Sequence, residues 1–182
     1  MKKSRILSTR EIHRGRRFSF QQIEVQNTDP ASPPIIRDIV RHPGAVVVLP
    51  ITEDGRIIFI RNYRPAVDET LWELCAGTLD QKGESPAHCA ARELVEETGY
   101  HAKTIENLGS FYTTPGLTDE LMHAFLAKDL QFVGQSLEPG EEISVCLKGF
   151  DEIDEMIRSG EFRDAKSMVA MMLFYRKYHA KS

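Results

Sequence analysis

Three glutamates, Glu93, Glu96 and Glu97, stand at i, i+3 and i+4 in a segment that reads as helix. That spacing puts their carboxylates on one helix face, with β-carbons about 5–6 Å apart. Like charges so close repel each other, and acids near a helix C-terminus also oppose the macrodipole, which favours cations there. Taken alone, the trio is most simply a solvated acidic face. A divalent cation seated against it would remove both costs, and oxygen donors with no His or Cys beside them favour the hard ions Mg²⁺ or Mn²⁺ over zinc. His88 lies on the same helix, more than a turn before Glu93, and reads as an ordinary surface histidine.

The helix is delimited by its own chemistry. Ser85-Pro86 supplies an N-cap and a first-turn proline, and Gly99 suits the stop, so a helix is predicted over about 86–98. Ala87, Ala90, Ala91 and Leu94 then form its inward face. Before it, Ala76-Gly77-Thr78-Leu79 leads through Asp80-Gln81-Lys82-Gly83 to Glu84. Glycines at both ends suggest a tight loop whose backbone can approach a ligand or ion.

Around this centre the chain reads as an α/β (α+β) protein. Strands are predicted at Arg17–Val25, Ile35–Val40, Ala45–Leu49, Arg56–Tyr63, 104–113, 121–127 and 143–148. Asp54-Gly55 between two apolar runs is a hairpin signal. Two helices close the chain, 151–159 and 164–178, the second with an apolar stripe of Ala165, Met168, Val169, Met172 and Leu173, where the methionines fill core space. His42-Pro43-Gly44 marks a boundary between a small antiparallel β unit, residues 1–42, and the remainder, 43–182.

A length of 182 residues suits one domain with a small appendage and is short for two ordinary domains. With 41% hydrophobic and 27% charged residues, a wholly disordered chain is excluded. No apolar run approaches the roughly 18 residues of a membrane span. The apolar segment of a secretory signal does not develop, because Ser8, Thr9 and Arg10 follow Ile6-Leu7, and a cytoplasmic location is expected. Three scattered cysteines form neither a disulfide framework nor a zinc pattern, which fits a reducing compartment. A net charge of -4 argues against binding nucleic acid over the whole surface. Seven of the first seventeen residues are basic, which reads as a solvated arm or as a contact for an anion or nucleic acid.

Read together, Gly77-x6-Glu84-x7-Arg92-Glu93-Leu94-x-Glu96-Glu97-x-Gly99-Tyr100 resembles the Nudix box. Six residues separate Gly77 from Glu84 where the family has five, and the extra residue falls in the Asp80–Gly83 turn, where insertion costs little. Arg61-Asn-Tyr-Arg64, Leu71-Trp-Glu-Leu-Cys-Ala-Gly77 and Tyr112-Thr-Thr-Pro115-Gly116-Leu-Thr-Asp-Glu120 are similar to the branch of Nudix hydrolases that cleaves ADP-ribose and other nucleoside diphosphate sugars. A proline fifteen residues past the box, here Pro115, is a hallmark of that branch. The resemblance covers about residues 36–175, and Cys75 stands where a proline is usual before Ala-Gly.

The resemblance implies a Nudix fold, a mixed sheet sandwiched between helices, with a small N-terminal antiparallel β domain that serves dimerisation and substrate binding. It implies water attack on one phosphorus of a pyrophosphate, assisted by two or more Mg²⁺, with Mn²⁺ as a substitute. On this sequence the metal ligands would be Glu93, Glu97, Glu96 and the Ala76 carbonyl. Arg92 would orient Glu96, or else form a plain surface ion pair. Arg64 would hold the pyrophosphate, or else pair with a nearby acid. Glu120 would meet sugar hydroxyls, Phe18 and Phe20 are the candidates for the base platform, and Trp72 packs the core. The acidic loop Glu138-Pro-Gly-Glu-Glu142 would supply the general base, best matched by Glu141, with Glu138 or Glu142 as alternatives and Glu96 if the base lies on the helix. The implied assembly is a homodimer. Rival readings are a Nudix hydrolase of RNA caps or dinucleoside polyphosphates, and a Nudix-like module that senses a nucleotide without cleaving it. Pro115 and the N-terminal unit disfavour the first, and the intact glutamate trio disfavours the second.

Overall fold

A computed structural model of the chain describes residues 5–29, 31–137, 140 and 142–178. The chain divides into two units: residues up to Gly44 with Tyr112–Leu121, and Ala45–Phe111 with the chain from Met122 onward. In the first, β1 (Ile6–Arg14), β2 (Ser19–Val25) and β3 (Ile35–Arg41) form an antiparallel sheet in that order. Segment 117–119 joins it through Val40 N–H to Leu117 O, 2.9 Å, and an Arg41–Asp119 ion pair, 2.9 Å. Within β1 to β3 only Ser19 and Ile23 are buried, and β1 is exposed along its whole length.

The second unit contains β4 (Ala45–Pro50), β5 (Ile57–Arg64), β6 (Glu69–Glu73), β7 (Ala76–Thr78), α1 (Pro86–Glu93) with a π-helical turn at Leu94–Thr98, β8 (Tyr100–Tyr112), β9 (Leu121–Phe132), β10 (Ile143–Lys148), α2 (Phe150–Ser159) and α3 (Ala165–Tyr178); β8 and β9 each reach into the first unit at one end. One sheet runs β7-β4-β9-β8, with β4 parallel to β9 and antiparallel to β7; the other, β10-β5-β6, is antiparallel. Every residue of β4 is buried, as expected of a strand with both faces covered. Ala45, Val47 and Leu49 face a core built with Ile153 and Met156 of α2 and Ala170, Met171 and Phe174 of α3. Val46 and Val48 face Cys89, Ala90 and Leu94 on the opposite side. The period-two alternation of one strand thus fixes helices on both sides of a mixed sheet, with each fully buried Val or Leu contributing about 1.5–3 kcal/mol. The expected α/β sandwich is borne out.

Several local expectations need correction. Residues 6–14 form β1, where a solvated basic arm was one of the two expectations; the β-branched Ile6, Thr9 and Ile12 set the strand, and Arg10 bonds Gln22 across it. Asp54-Gly55 does turn the chain, but a single Ile51–Ile57 bridge closes it before the two strands enter different sheets. On α1, Ala87 is exposed and Cys89 takes its place in the core. On α3 the buried residues are Ser167, Ala170, Met171 and Phe174, while Met172 is 69% exposed. This helix is apolar on nearly every side, so the residues allow several stripes. The rotation is selected by Ser167, whose Oγ accepts the buried Leu74 N–H at 2.7 Å and donates to Asp164.

Candidate active site

α1 begins as its residues dictate, with Ser85 Oγ accepting the His88 N–H at 3.3 Å and Pro86 in the first turn. Its end departs from the regular helix expected over 86–98. Leu94–Thr98 is a π turn, a wider i→i+5 winding that recurs at functional sites. Gly99 closes it in the left-handed region at φ 78°, where an added Cβ would crowd the backbone of Gly134 and Gln135. The last carbonyls are also held, Glu97 O by Gln135 Nε2 at 2.6 Å and Glu96 O by Ser136 N–H at 3.0 Å.

Arg92 is the hub of this helix. Its Nε and Nη2 donate to the two oxygens of Glu84 at 3.0 and 3.1 Å, and its Nη1 reaches Glu93 at 2.9 Å and Glu96 at 2.7 Å. Two of those contacts, to Glu84, are the fork–fork geometry that makes arginine-carboxylate pairs directional. The guanidinium holds the Glu84 carboxyl below the usual carboxylate range. Glu84 is only 4% exposed, so the one-residue-longer turn before the helix still delivers this glutamate to Arg92. The expected Arg92–Glu96 bond is present, but Glu84 is a site residue that the sequence assignment left out. Its spacing from Gly77 was the signal.

Glu97 is buried and accepts the Ala76 N–H at 3.0 Å through Oε2. Beside it, Gly77 meets Glu93 so closely that a Cβ at position 77 would fall within the Glu93 carboxyl group. Ala76, Gly77, Glu84, Arg92, Glu93, Glu96 and Glu97 are therefore brought together by β7 and the helix. Two cysteines lie close by and are chemically quiet: burial pushes the Cys89 thiol up to about 12 and the Cys75 thiol well above its ordinary value. Neither supplies a thiolate nucleophile.

Arg64, at the end of β5, forks onto the fully buried Glu73 at 2.7 and 2.5 Å. The alternative reading, an arginine paired with an acid, is thus part of the structure, while the side chain remains 40% exposed. Burial works to raise the Glu73 carboxyl, but the Arg64 fork and Lys166 outweigh it and hold it below its ordinary value. Trp72 packs against the core and donates to Glu161 at 2.7 Å. In the first unit, Phe18 stacks on His42 at 5.7 Å, and Glu120 accepts from Thr113 Oγ1 at 2.5 Å and lies 3.7 Å from His42 Nε2. His42, unassigned from sequence, joins Phe18 to Glu120. Phe20 is 36% exposed on β2. Glu138 and Glu141 lie outside the described residues, and Glu142 is exposed.

Residues 40–170, which include both the Arg92 hub and Arg64, match the NUDIX domain family. The chain belongs to the Nudix family. It is 40% identical over 143 residues to an ADP-ribose pyrophosphatase of Bacillus subtilis (strain 168), covering 78% of this chain and 77% of that one. It is 36% identical over 169 residues to a methanol dehydrogenase activator of Bacillus methanolicus, covering 91% and 89%. A crystal structure described as an ADP compounds hydrolase superposes with a TM-score of 0.83 over 100% of this chain and 97% of its own, at 22% identity, a likeness of fold.

Nudix pyrophosphatases in general depend on divalent metal ions. The donors present here fit such an ion. Three carboxylates, Glu84, Glu93 and Glu96, gather on one guanidinium, a formal charge of -2 before the buried Glu97 is counted. Among the described residues no three His, Cys, Asp or Glu side chains already form a metal cage, and Arg92 Nη1 bonds both Glu93 and Glu96. No described helix is long and apolar enough to cross a membrane.

Proposed function

We propose that this chain hydrolyses the pyrophosphate bond of ADP-ribose or another nucleoside diphosphate sugar, releasing a nucleoside monophosphate and a sugar phosphate, with Mg²⁺ as the working ion and Mn²⁺ able to replace it. The observation that carries the reading is the Arg92 hub with Glu97 tied to Ala76, which gathers carboxylates on an acidic helix face of a Nudix fold. Glu93, Glu96, Glu97 and the Ala76 carbonyl would hold the metal, which supplies Lewis-acid stabilisation of the phosphate oxygens and a more acidic attacking water.

The chain's own residues do the remaining work. Arg92 restrains Glu84, Glu93 and Glu96 so that their repulsion does not splay them, and positioning of this kind is a large share of catalysis of phosphoryl transfer. Arg64, anchored on one edge by Glu73, offers its other edge to the pyrophosphate. Glu120 meets the sugar hydroxyls, and Phe18, with Phe20, serves the base. Glu141 takes the proton of the attacking water, a role open to Glu138 or Glu142 of the same loop. Residues 1–42 serve dimerisation and substrate binding. Ile6, Leu7, Ile12 and Ile36 of that sheet are 51%, 46%, 44% and 57% exposed, apolar area that a second copy of the chain would cover.

The test is a substrate screen with ADP-ribose, GDP-mannose and UDP-glucose in Mg²⁺ or Mn²⁺, with products separated by ion-exchange chromatography. The expected products are a nucleoside monophosphate and a sugar phosphate, lost on chelation. Absence of turnover on all three with either ion, at micromolar enzyme, would overturn the assignment.

A further inference from the structure

The buried carboxylate that anchors Arg64 has a second cation. Lys166, near the start of α3, places Nζ 2.5 Å from Glu73 Oε2 and 2.9 Å from Asp164 Oδ1. All three are secluded, with side-chain exposures of 15% for Lys166, 12% for Asp164 and 1% for Glu73. Asp164 in turn caps α3 through the Ser167 N–H at 3.1 Å, and Ser167 Oγ holds the Leu74 N–H at 2.7 Å, one residue beyond Glu73. The start of α3 is thus pinned to the strand end that carries the arginine's anchor.

Charge counting shows what Lys166 contributes. Arg64 and Lys166 balance Glu73 and Asp164, and the α3 N-terminus adds about half a positive charge where Asp164 caps it. Remove Lys166 and the remaining side chains carry a formal charge of -1, which the helix terminus offsets by only about half, and the Arg64 guanidinium is neutralised by Glu73. An arginine in that state holds an anion poorly, because attraction to Glu73 and to phosphate draw on the same charge.

We propose that Lys166 is a positioning residue for substrate: by sharing the charge of Glu73 it leaves the Arg64 guanidinium oriented and electrostatically available to a pyrophosphate. The proposal rests on the reading of Arg64 as the pyrophosphate contact. A buried ion pair with no such role would lower stability when broken and leave substrate affinity alone.

The experiment measures KM and kcat for ADP-ribose, and its affinity by calorimetry without turnover, in wild type, Lys166→Met, Lys166→Gln, Lys166→Arg and Arg64→Met, each with a thermal melt. Lys166→Met should raise KM about tenfold with a smaller change in kcat, and Lys166→Arg should recover most of the loss. Lys166→Gln serves the same purpose should the methionine variant fail to fold. If Arg64→Met raises KM and neither neutral variant at 166 does, the inference on Lys166 is wrong and the Arg64 reading stands. Equal KM in Lys166→Arg and the neutral variants also overturns it, since charge would not be the cause. If Arg64→Met leaves KM and affinity unchanged, both the Arg64 reading and the inference fall.

Discussion

Gly77→Ala separates activity from stability more sharply than removal of any charge. The backbone at Gly77 is not in the left-handed region, so alanine is allowed there, and the atoms nearest to a Cβ all belong to the Glu93 side chain. Glu93 can retreat, but to reach ordinary van der Waals distance its carboxyl must move by more than about 1 Å, which at a reacting centre costs roughly 10²-fold. The stability terms nearly offset. Loss of the partly exposed Arg92–Glu93 pair costs about 0–1 kcal/mol, and Gly to Ala returns about 0.4–1 kcal/mol through the unfolded chain. The variant should therefore melt within about 2–4 °C of wild type while kcat falls roughly 10²-fold and the Mg²⁺ concentration for half-maximal rate rises. The assay is a melt by circular dichroism beside a Mg²⁺ titration of AMP formation from ADP-ribose, read by ion-exchange chromatography. Wild-type kcat with unchanged Mg²⁺ dependence would refute the placement of Glu93 against position 77 as a feature of the working site.

Glu97→Gln retains an acceptor for the Ala76 N–H, so it should stay folded while turnover drops by orders of magnitude; wild-type turnover with Mg²⁺ would remove Glu97 from the metal set. Glutamine at each of 138, 141 and 142 should show one variant, expected at Glu141, reduced about 10²–10⁴-fold, and near-wild-type kcat in all three would send the search for the base to Glu96. Deletion of residues 1–42 should give a monomer by light scattering and a raised KM, and a truncated protein still dimeric with unchanged KM would contradict the role given to that unit. Glu106 is held at about 2, against an ordinary 4.5, by Lys177, Tyr178 and Lys128. Its contribution is therefore present above about 4.5 and is lost as pH falls toward 2. Because the cluster is near the surface, Glu106→Gln should cost only about 0.5–1 kcal/mol at pH 7, and urea melts should show that gap narrowing as pH falls from about 4.5 toward 2; a gap independent of pH would contradict the ion-pair origin.

The helix, its N-cap and the grouping of glutamates were legible because capping and i, i+3, i+4 geometry are local. The π turn was not, since Leu94–Thr98 has no residue type that marks a wider winding; it is held from outside by Gln135 and Ser136. β6 and β7 escaped for a related reason. They are only five and three residues long, too short for a periodic pattern, and each is defined by its pairing, β6 with the neighbouring β5 and β7 with β4, about thirty residues earlier. The rotation of α3 was illegible because its apolar residues cover most of the helix, and the deciding group is a serine whose partner is a backbone N–H 93 residues away. Likewise Arg64 admits two readings, phosphate ligand or ion pair, and its pairing with Glu73, itself shared with Lys166 from 93 residues on, is a tertiary contact that no local pattern marks.

The run Glu73 to Gly77 explains why the site tolerates an extra residue elsewhere. Five consecutive residues each have a different assignment: Glu73 to Arg64 and Lys166, Leu74 to the α3-side core and Ser167, Cys75 to the α1-side core, Ala76 to Glu97, Gly77 to Glu93. The alternation of Leu74 and Cys75 between the two cores is the period of a strand, so a one-residue shift here would reverse every side chain and break all five contacts at once. The turn at residues 81–83 does not alternate between two cores in this way. Gln81 to Gly83 are exposed, Gly83 sits at φ 82° with nothing near its open side, and the chain can lengthen there without moving either β7 or the cap at Ser85. Glu84, immediately before the Ser85 cap, is held from the helix side by the Arg92 fork, so one added residue in the turn need not move it from that guanidinium.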